Sequence, residues 1–208
     1  MDDETVQLFS SLSRPIAKDF LPQCQPVYLF PTRQETEQFN KHRLSSVESA
    51  PVVFRSHDWV KAKHAQHLLG TLPVDNHVRL KIGAQVMLVR NIDDGLMNGT
   101  VGVVKGFYTY KGVTGDLSYQ KKIGFVRNIQ VNEQGVPVSF SDTNDSSSDS
   151  STAFPLVEFY ICDRLEHVLI LPFEFRADMN GEAAVKRVQV RTGNLLSLSL
   201  QLMTYRFH

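Results

Sequence analysis

The spacing of apolar residues changes along this chain, and each change marks an element. Val27 to Phe30 is an apolar, β-favouring run ended by Pro31. Thr32 with Glu35 three residues later forms a capping-box pattern that opens a helix through about Val47. In that helix Thr36, Phe39, Leu44 and Val47 make a modest inner face, while Arg33, Glu37, Lys41 and Arg43 turn to water. The strand, turn and helix suit the flank of an α/β sheet. Trp59 to Leu69 predicts a second helix, stopped by Gly70 and Pro73, that connects two units.

From Arg79 the period shortens to that of strands. LKIGAQVMLVRN followed by DDGLMNGTVGVVKGF alternates β-branched residues with turn signals, which predicts strands over Leu80 to Asn91 and Thr100 to Phe107 with a tight hairpin turn at Asn98-Gly99. Further strands are expected over Ile123 to Ile129, Leu156 to Ile161 and His167 to Phe173, and five short strands make a small barrel. The segment at 139–154, SFSDTNDSSSDSSTAF, buries too little apolar surface to offset its ordering entropy and reads as a disordered acidic surface loop. The closing TGNLLSLSLQLMTYRFH offers neither strand alternation nor a helix cap.

Charge sharpens this picture. Twenty-two Lys and Arg balance twenty-two Asp and Glu across 208 residues, so the chain as a whole lacks the field of a nucleic-acid binder. From Arg55 to Arg127, however, eleven Lys or Arg stand against five Asp, a difference of +6, whereas Val131 to Tyr160 holds five acidic residues and no Lys or Arg. Any positive field is local. Cys24 and Cys162 lie far apart outside any CxxC pattern, which argues against a disulfide framework or zinc site and for a reducing compartment. No apolar run reaches the ~20 residues of a membrane span, and the acidic start MDDETVQLF is unlike a basic presequence. The expectation is a soluble, untargeted chain, or one without its true start.

The run LKIGAQVMLVRN with GLMNGTVGVV, preceded by FSSLSRP (Phe9 to Pro15) and YLFPTRQETEQFNKHRL (Tyr28 to Leu44) and continuing to Arg187-Val188-Gln189, resembles the petite-integration-frequency family of 5′-to-3′ DNA helicases, relatives of the RecD-like motors. The resemblance covers Phe9 to about Val190. It implies an α+β chain in which residues 1–70 are a partial second RecA-like motor domain, residues 71–190 an inserted Src-homology-three-like β-barrel carrying the 139–154 loop, and residues 191–208 a divergent tail. Two departures bear on activity. The 208 residues contain no GxxxxGK[ST] loop to cradle ATP phosphates, and after Val190 the family's Pro-Leu and His-Lys-Ser-Gln-Gly run is replaced by Arg191-Thr192-Gly193, the mark of a frame change, retained intron or altered exon.

The resemblance implies part of an ATP-dependent DNA helicase of replication, repair, recombination and telomere maintenance, in the nucleus or mitochondrion. Its partners would be single-stranded DNA and the rest of the motor, not a membrane. ATP and Mg2+ would belong to the parent helicase, with no cofactor in this chain. The alternatives are a non-enzymatic module that binds single-stranded DNA or a protein, and a gene-model fragment that folds poorly.

Several residues invite a role in DNA contact. Thr32 and Arg33 stand at a helix N-terminus, where unpaired amides and the helix dipole favour a phosphate; the plain alternative is a capped helix with an exposed arginine. Lys81, Arg90 and Lys105 alternate with apolar strand residues and can line one barrel face against a DNA backbone, although solvated strand faces are commoner. Gly83, Gly99 and Gly102 serve backbone geometry, and the tip from Asp94 to Asn98 is a further DNA or domain contact. Trp59, Tyr108 and Tyr110 are candidates for base stacking with core packing as the better reading. His57, His64, His67 and His77 lack a third ligand at metal spacing, and no nucleophile triad or carboxylate pair stands out.

Overall fold

The computed structural model describes residues 2–12, 25–92, 95–109, 124–127, 129–133, 136–138, 141–142, 153–161, 164–179, 181–190, 192–194 and 197–199. Helix α1 (Asp3–Leu12) precedes strand β1 (Tyr28–Phe30) and helix α2 (Arg33–Ser45). Then come β2 (Val52–Arg55), β3 (His57–Val60), a 3-10 helix (Lys63–Thr71), β4 (His77–Leu80), β5 (Gln85–Leu88) and β6 (Val101–Thr109). The remaining strands are β7 (Phe125–Val126), β8 (Ser141–Asp142), β9 (Ala153–Ile161), β10 (Arg164–Ile170), β11 (Pro172–Met179), β12 (Glu182–Val190), β13 (Thr192–Asn194) and β14 (Ser197–Ser199). The chain is mixed helix and strand, and among the described residues its strand pairings are antiparallel except β1 with β14.

The largest sheet runs β13-β5-β6-β9-β10-β7, with β8 on β6; a second runs β11-β12-β3, and β2 pairs with β4. Strand β9 is central and covered on both sides. Val157, Phe159 and Ile161 face one cluster with Leu80, Val86, Leu88, Val104 and Ile170, whereas Leu156 faces another with Tyr108, Leu169 and Leu171. A register shift in β6 between Val104 and Gly106 explains how one strand feeds both clusters: Val104 opposes Val157, and after the bulge Gly106 opposes Leu156. Gly102 is required by contact, because a Cβ there would lie 2.6 Å from the Glu158 carbonyl oxygen and 2.6 Å from the Phe159 ring. The chain leaves this sheet at Leu171, where Pro172, which has no N–H to donate, starts β11 in the other.

The α2 expectation holds closely, since Thr32 is its N-cap and accepts from the Glu35 N–H at 3.3 Å. Other elements differ from expectation. Trp59 does not open a helix: it lies in β3 opposite Lys186 of β12, and the helix that follows is 3-10, beginning at Lys63. Partner pairing overrode the local periodicity there. The strand expected over Leu80 to Asn91 is cut by a turn in which Ala84 N–H donates to Lys81 O at 3.0 Å and Gly83 adopts φ +86°. Asn98-Gly99 does form a tight turn, with Thr100 N–H donating to Met97 O at 2.9 Å and Gly99 at φ +97°, but it sits beside Leu88 rather than at the tip of the connection.

Of the strand expected over Ile123 to Ile129, Phe125–Val126 form β7, while Ile123 and Asn128 lie outside the described residues; the strand expected from His167 to Phe173 is divided between β10 and β11. Of the loop expected at 139–154, Ser141–Asp142 pair with Tyr108 and Thr109, and Ala153 and Phe154 begin β9; its remaining residues lie outside those described. Within 191–208, Thr192–Asn194 pair with β5 and Ser197–Ser199 with β1, so strands stand where the sequence offered none.

Candidate functional site

A groove of about 940 Å³ opens where β2, the N-terminal end of β9, β11 and the C-terminal end of β12 meet. Its apolar lining includes Phe54, Phe154, Pro172 and Phe173, and Arg55, Arg90 and Arg176 add charge. Strand alternation buries Phe54 and exposes Arg55 on β2, and on β11 it buries Phe175 in a core cluster outside the groove and exposes Arg176. Arg90 makes a cation–π contact: its guanidinium carbon lies 4.7 Å from the centroid of the Phe173 ring, which in turn meets Phe175 edge-on. Glu174 is the acidic residue of the lining, and Lys186 Nζ lies 3.3 Å from its carboxylate. Arg176 makes a loose contact with Asp178 at 3.8 Å, both side chains being exposed.

The wall formed by β12 is held by two buried polar side chains. Arg187 grips Asp58 of β3 with two bonds, Nε to Oδ1 at 2.8 Å and Nη2 to Oδ2 at 2.6 Å, and Nη1 donates to Val74 O at 2.9 Å. Its hydrogen bond to Arg187 holds the Asp58 carboxyl below the usual carboxylate range, against the opposing effect of burial and with help from Ser56. Gln189, 2% exposed, donates through Nε2 toward the carbonyls of Phe54, Asp75 and Asn76, and its Oε1 accepts from Val190 N–H. These bonds tie β2 and the 74–76 segment to β12. They fix the distance between groove walls.

The six residues singled out for DNA contact do not form one patch. Arg90 is the one among them that lines the groove. Lys81 donates from Nζ to Val47 O at 2.6 Å, tying the end of the α2 segment to the sheet. Lys105 stands at the β6 bulge with Nζ 2.7 Å from Glu158 Oε1, outside hydrogen-bond angles, while His167 Nε2 lies 3.2 Å from the other oxygen. Asn98 is half-buried and its N–H donates to Asn91 Oδ1 at 2.8 Å. Arg33 is exposed at the start of α2, where Thr32 Oγ1 donates to the Glu35 carboxylate at 2.7 Å, so a negative group already sits at this helix end.

Tyr108 is buried, Trp59 is half-exposed beneath Lys186, and Tyr110 lies outside the described residues. Among the described residues no three His, Cys, Asp or Glu side chains cluster as a metal site. Arg55, Phe154, Phe173 and Arg176 escaped the sequence reading. They come from strands far apart in the chain, and the available signal, an outward Arg beside an inward Phe, required β2 and β11 to be recognised as strands.

The family model described as "DNA helicase Pif1, 2B domain" matches residues 66–107. ATP-dependent DNA helicase PIF1 of Saccharomyces cerevisiae is 34% identical over 127 residues, 57% of this chain and 14% of that protein. The protein of the same name from Emericella nidulans is 28% identical over 202 residues, 91% of this chain and 27% of its own length. The chain therefore spans about a quarter or less of these relatives. Among solved structures, Pif1 helicase from Candida albicans matches 97% of this chain and 41% of its own at TM-score 0.64 and 25% identity. A Bacteroides Pif1 helicase at 13% identity and TM-score 0.53 shares the fold over 97% of this chain and 36% of its own. Motifs, the family model over residues 66–107 and fold agree in likening this chain to part of a Pif1 helicase.

Proposed function

We propose that these 208 residues serve as one section of an ATP-dependent 5′-to-3′ DNA helicase of replication, repair and recombination, in the nucleus or mitochondrion, and that they contribute contacts to single-stranded DNA. In this reading residues 1–70 are a partial second RecA-like motor domain, 71–190 an inserted Src-homology-three-like barrel, and 191–208 a divergent tail. The observation that carries it is the likeness in fold and sequence to the Candida albicans Pif1 helicase over 97% of the chain. The barrel assignment is supported by the antiparallel run β5-β6-β9-β10, one face of which gathers Val86, Val104, Phe159 and Ile170 in a shared cluster, and by a family match that begins at residue 66.

The residues of this chain do not fit ATP. The sequence has no GxxxxGK[ST] loop, and at the α2 N-terminus, the feature best suited to a phosphate, the Glu35 carboxylate already accepts from the Thr32 hydroxyl. ATP and Mg2+ belong to the rest of the motor, and this section supplies shape and DNA contact. The same absence of a phosphate loop favours the second reading, a non-enzymatic module that binds single-stranded DNA or a protein partner.

Two measurements separate these readings. The purified chain should bind a fluorescent oligothymidylate with an affinity that falls steeply as salt rises, and should leave ATP intact. Hydrolysis by this chain, or indifference to the oligonucleotide at low salt, overturns the proposal. Sequencing the transcript and its locus then decides the parent: a phosphate loop and the later motor motifs in one frame support the helicase, and their absence leaves the module.

A further inference from the structure

We propose that the groove between β2 and β11 is the track along which this chain holds single-stranded DNA, with Arg55, Arg90 and Arg176 on backbone phosphates and Phe154 and Phe173 beside the bases. The inference rests on the reading of the chain as a DNA-contacting section, and it moves the contact away from most of the residues the sequence suggested. Lys81 and Lys105 spend their charges inside the molecule, on Val47 O and on Glu158. The groove arginines point outward instead. Among the described residues Arg55 and Arg90 have no ion pair, and the Arg176 contact with Asp178 is long and exposed.

The groove carries three arginines against Glu174, +3 against −1, and that carboxylate is already engaged by Lys186. A protein neutral overall thus presents a positive strip with aromatic walls, the combination that binds a strand without reading its sequence: cations follow the phosphates and rings accept any base. Arg90 is placed for this, because it is exposed and its guanidinium carbon lies 4.7 Å from the centroid of the Phe173 ring.

The test is anisotropy of a fluorescent oligothymidylate on the full chain, from about 50 to about 200 mM salt. A variant with Arg55→Gln, Arg90→Gln and Arg176→Gln should bind at least about tenfold more weakly, and its slope of log affinity against log salt should be shallower by about 2, roughly 0.7 for each phosphate no longer neutralised. Glu174→Gln should change affinity in the opposite direction and tighten binding. Phe173→Leu should shrink the preference for oligothymidylate over an abasic oligonucleotide by roughly fivefold or more. The arginines are exposed, and circular dichroism melts will show whether each variant keeps the fold; Arg176→Lys should retain the parental slope. If the parent chain binds and the triple variant matches it in affinity and slope, the groove is not the track and the broader reading survives. If the parent chain ignores the oligonucleotide, the reading beneath falls too.

Discussion

The β-rich part of this molecule and its N-terminal α/β part are held in different ways. Strands β4 to β6, β9 and β10 bury Leu80, Val86, Leu88, Val104, Phe159 and Ile170 together, each fully or nearly fully out of water. By contrast α1 buries none of its residues, and α2 buries Thr36 alone. Tyr28 and Leu29 of β1 are half-exposed although Tyr28 and Phe30 both touch Phe39. The first part is built by long-range burial, the second by local devices, a cap and a few ring contacts. A change in the first should therefore be felt by the whole fold, and a change in the second mostly where it is made.

The largest effect belongs to Phe159. It is fully buried on the inner face of the central strand, so Phe159→Ala removes its burial and leaves a void, costing about 3–5 kcal/mol. Urea unfolding followed by fluorescence and circular dichroism should move by that amount in one transition. A loss under about 1 kcal/mol would mean that the core does not dominate, and the contrast between the two parts would collapse.

Arg187→Ala comes next, at about 2–3 kcal/mol. Breaking a buried pair strands its partners, here Asp58 and the Val74 carbonyl, but Asp58 keeps enough access to water to soften the loss. Because β12 forms a groove wall, the same variant should loosen oligonucleotide binding while Arg187→Lys, which keeps charge but not the fork, recovers little stability. Gly102→Ala should cost about 1–3 kcal/mol, since the added methyl meets the backbone of β9 and the strands must separate to admit it. Recovery of full stability in either variant would show that the strands adjust more freely than their contacts imply.

How much of this was legible beforehand follows the same division. The capping box at Thr32 and Glu35 and the turn at Asn98-Gly99 were readable because a few adjacent residues determine them. Strand β12 was not: EAAVKRVQV mixes helix formers with β-branched residues, and its strand state comes from lying between β11 and β3. The same holds for Trp59, placed in a helix by its neighbours and in β3 by pairing with Lys186. Lys105 shows the limit for a site. Its alternation was visible, but the bulge and the Glu158 carboxylate that claim it depend on a strand much later in the chain. Arg55, Arg90 and Arg176 likewise become neighbours of one groove only after the sheets assemble.

Acid should act on the Arg187 brace more gently than mutation does. In the folded chain the hydrogen bond from Arg187 holds the Asp58 carboxyl below its ordinary value, so folding favours the carboxylate. The resulting stability is fully present above the unfolded value near pH 4 and is lost as pH falls through the lower folded value. Asp58→Asn should remove this component. Its unfolding free energy, compared with that of the parent chain between about pH 6 and 2, should fall less steeply below about pH 4. Parallel pH profiles would mean that Asp58 does not report on folding.

The smallest global effect is expected at Thr32, and it tests the contrast from the other side. Thr32→Ala removes the cap oxygen that accepts from Glu35 N–H and frees the Glu35 carboxylate, a change worth about 1 kcal/mol to a helix. Helix α2 shares little buried surface with the β core, so the urea midpoint of the chain should move by less than about 0.5 kcal/mol equivalent. Hydrogen exchange should register the loss locally, with amides in the first turn of α2 exchanging about fivefold faster and those of β9 unchanged. A global shift as large as the local one would mean that α2 unfolds with the β core, and that the two parts are one cooperative unit despite their unequal burial.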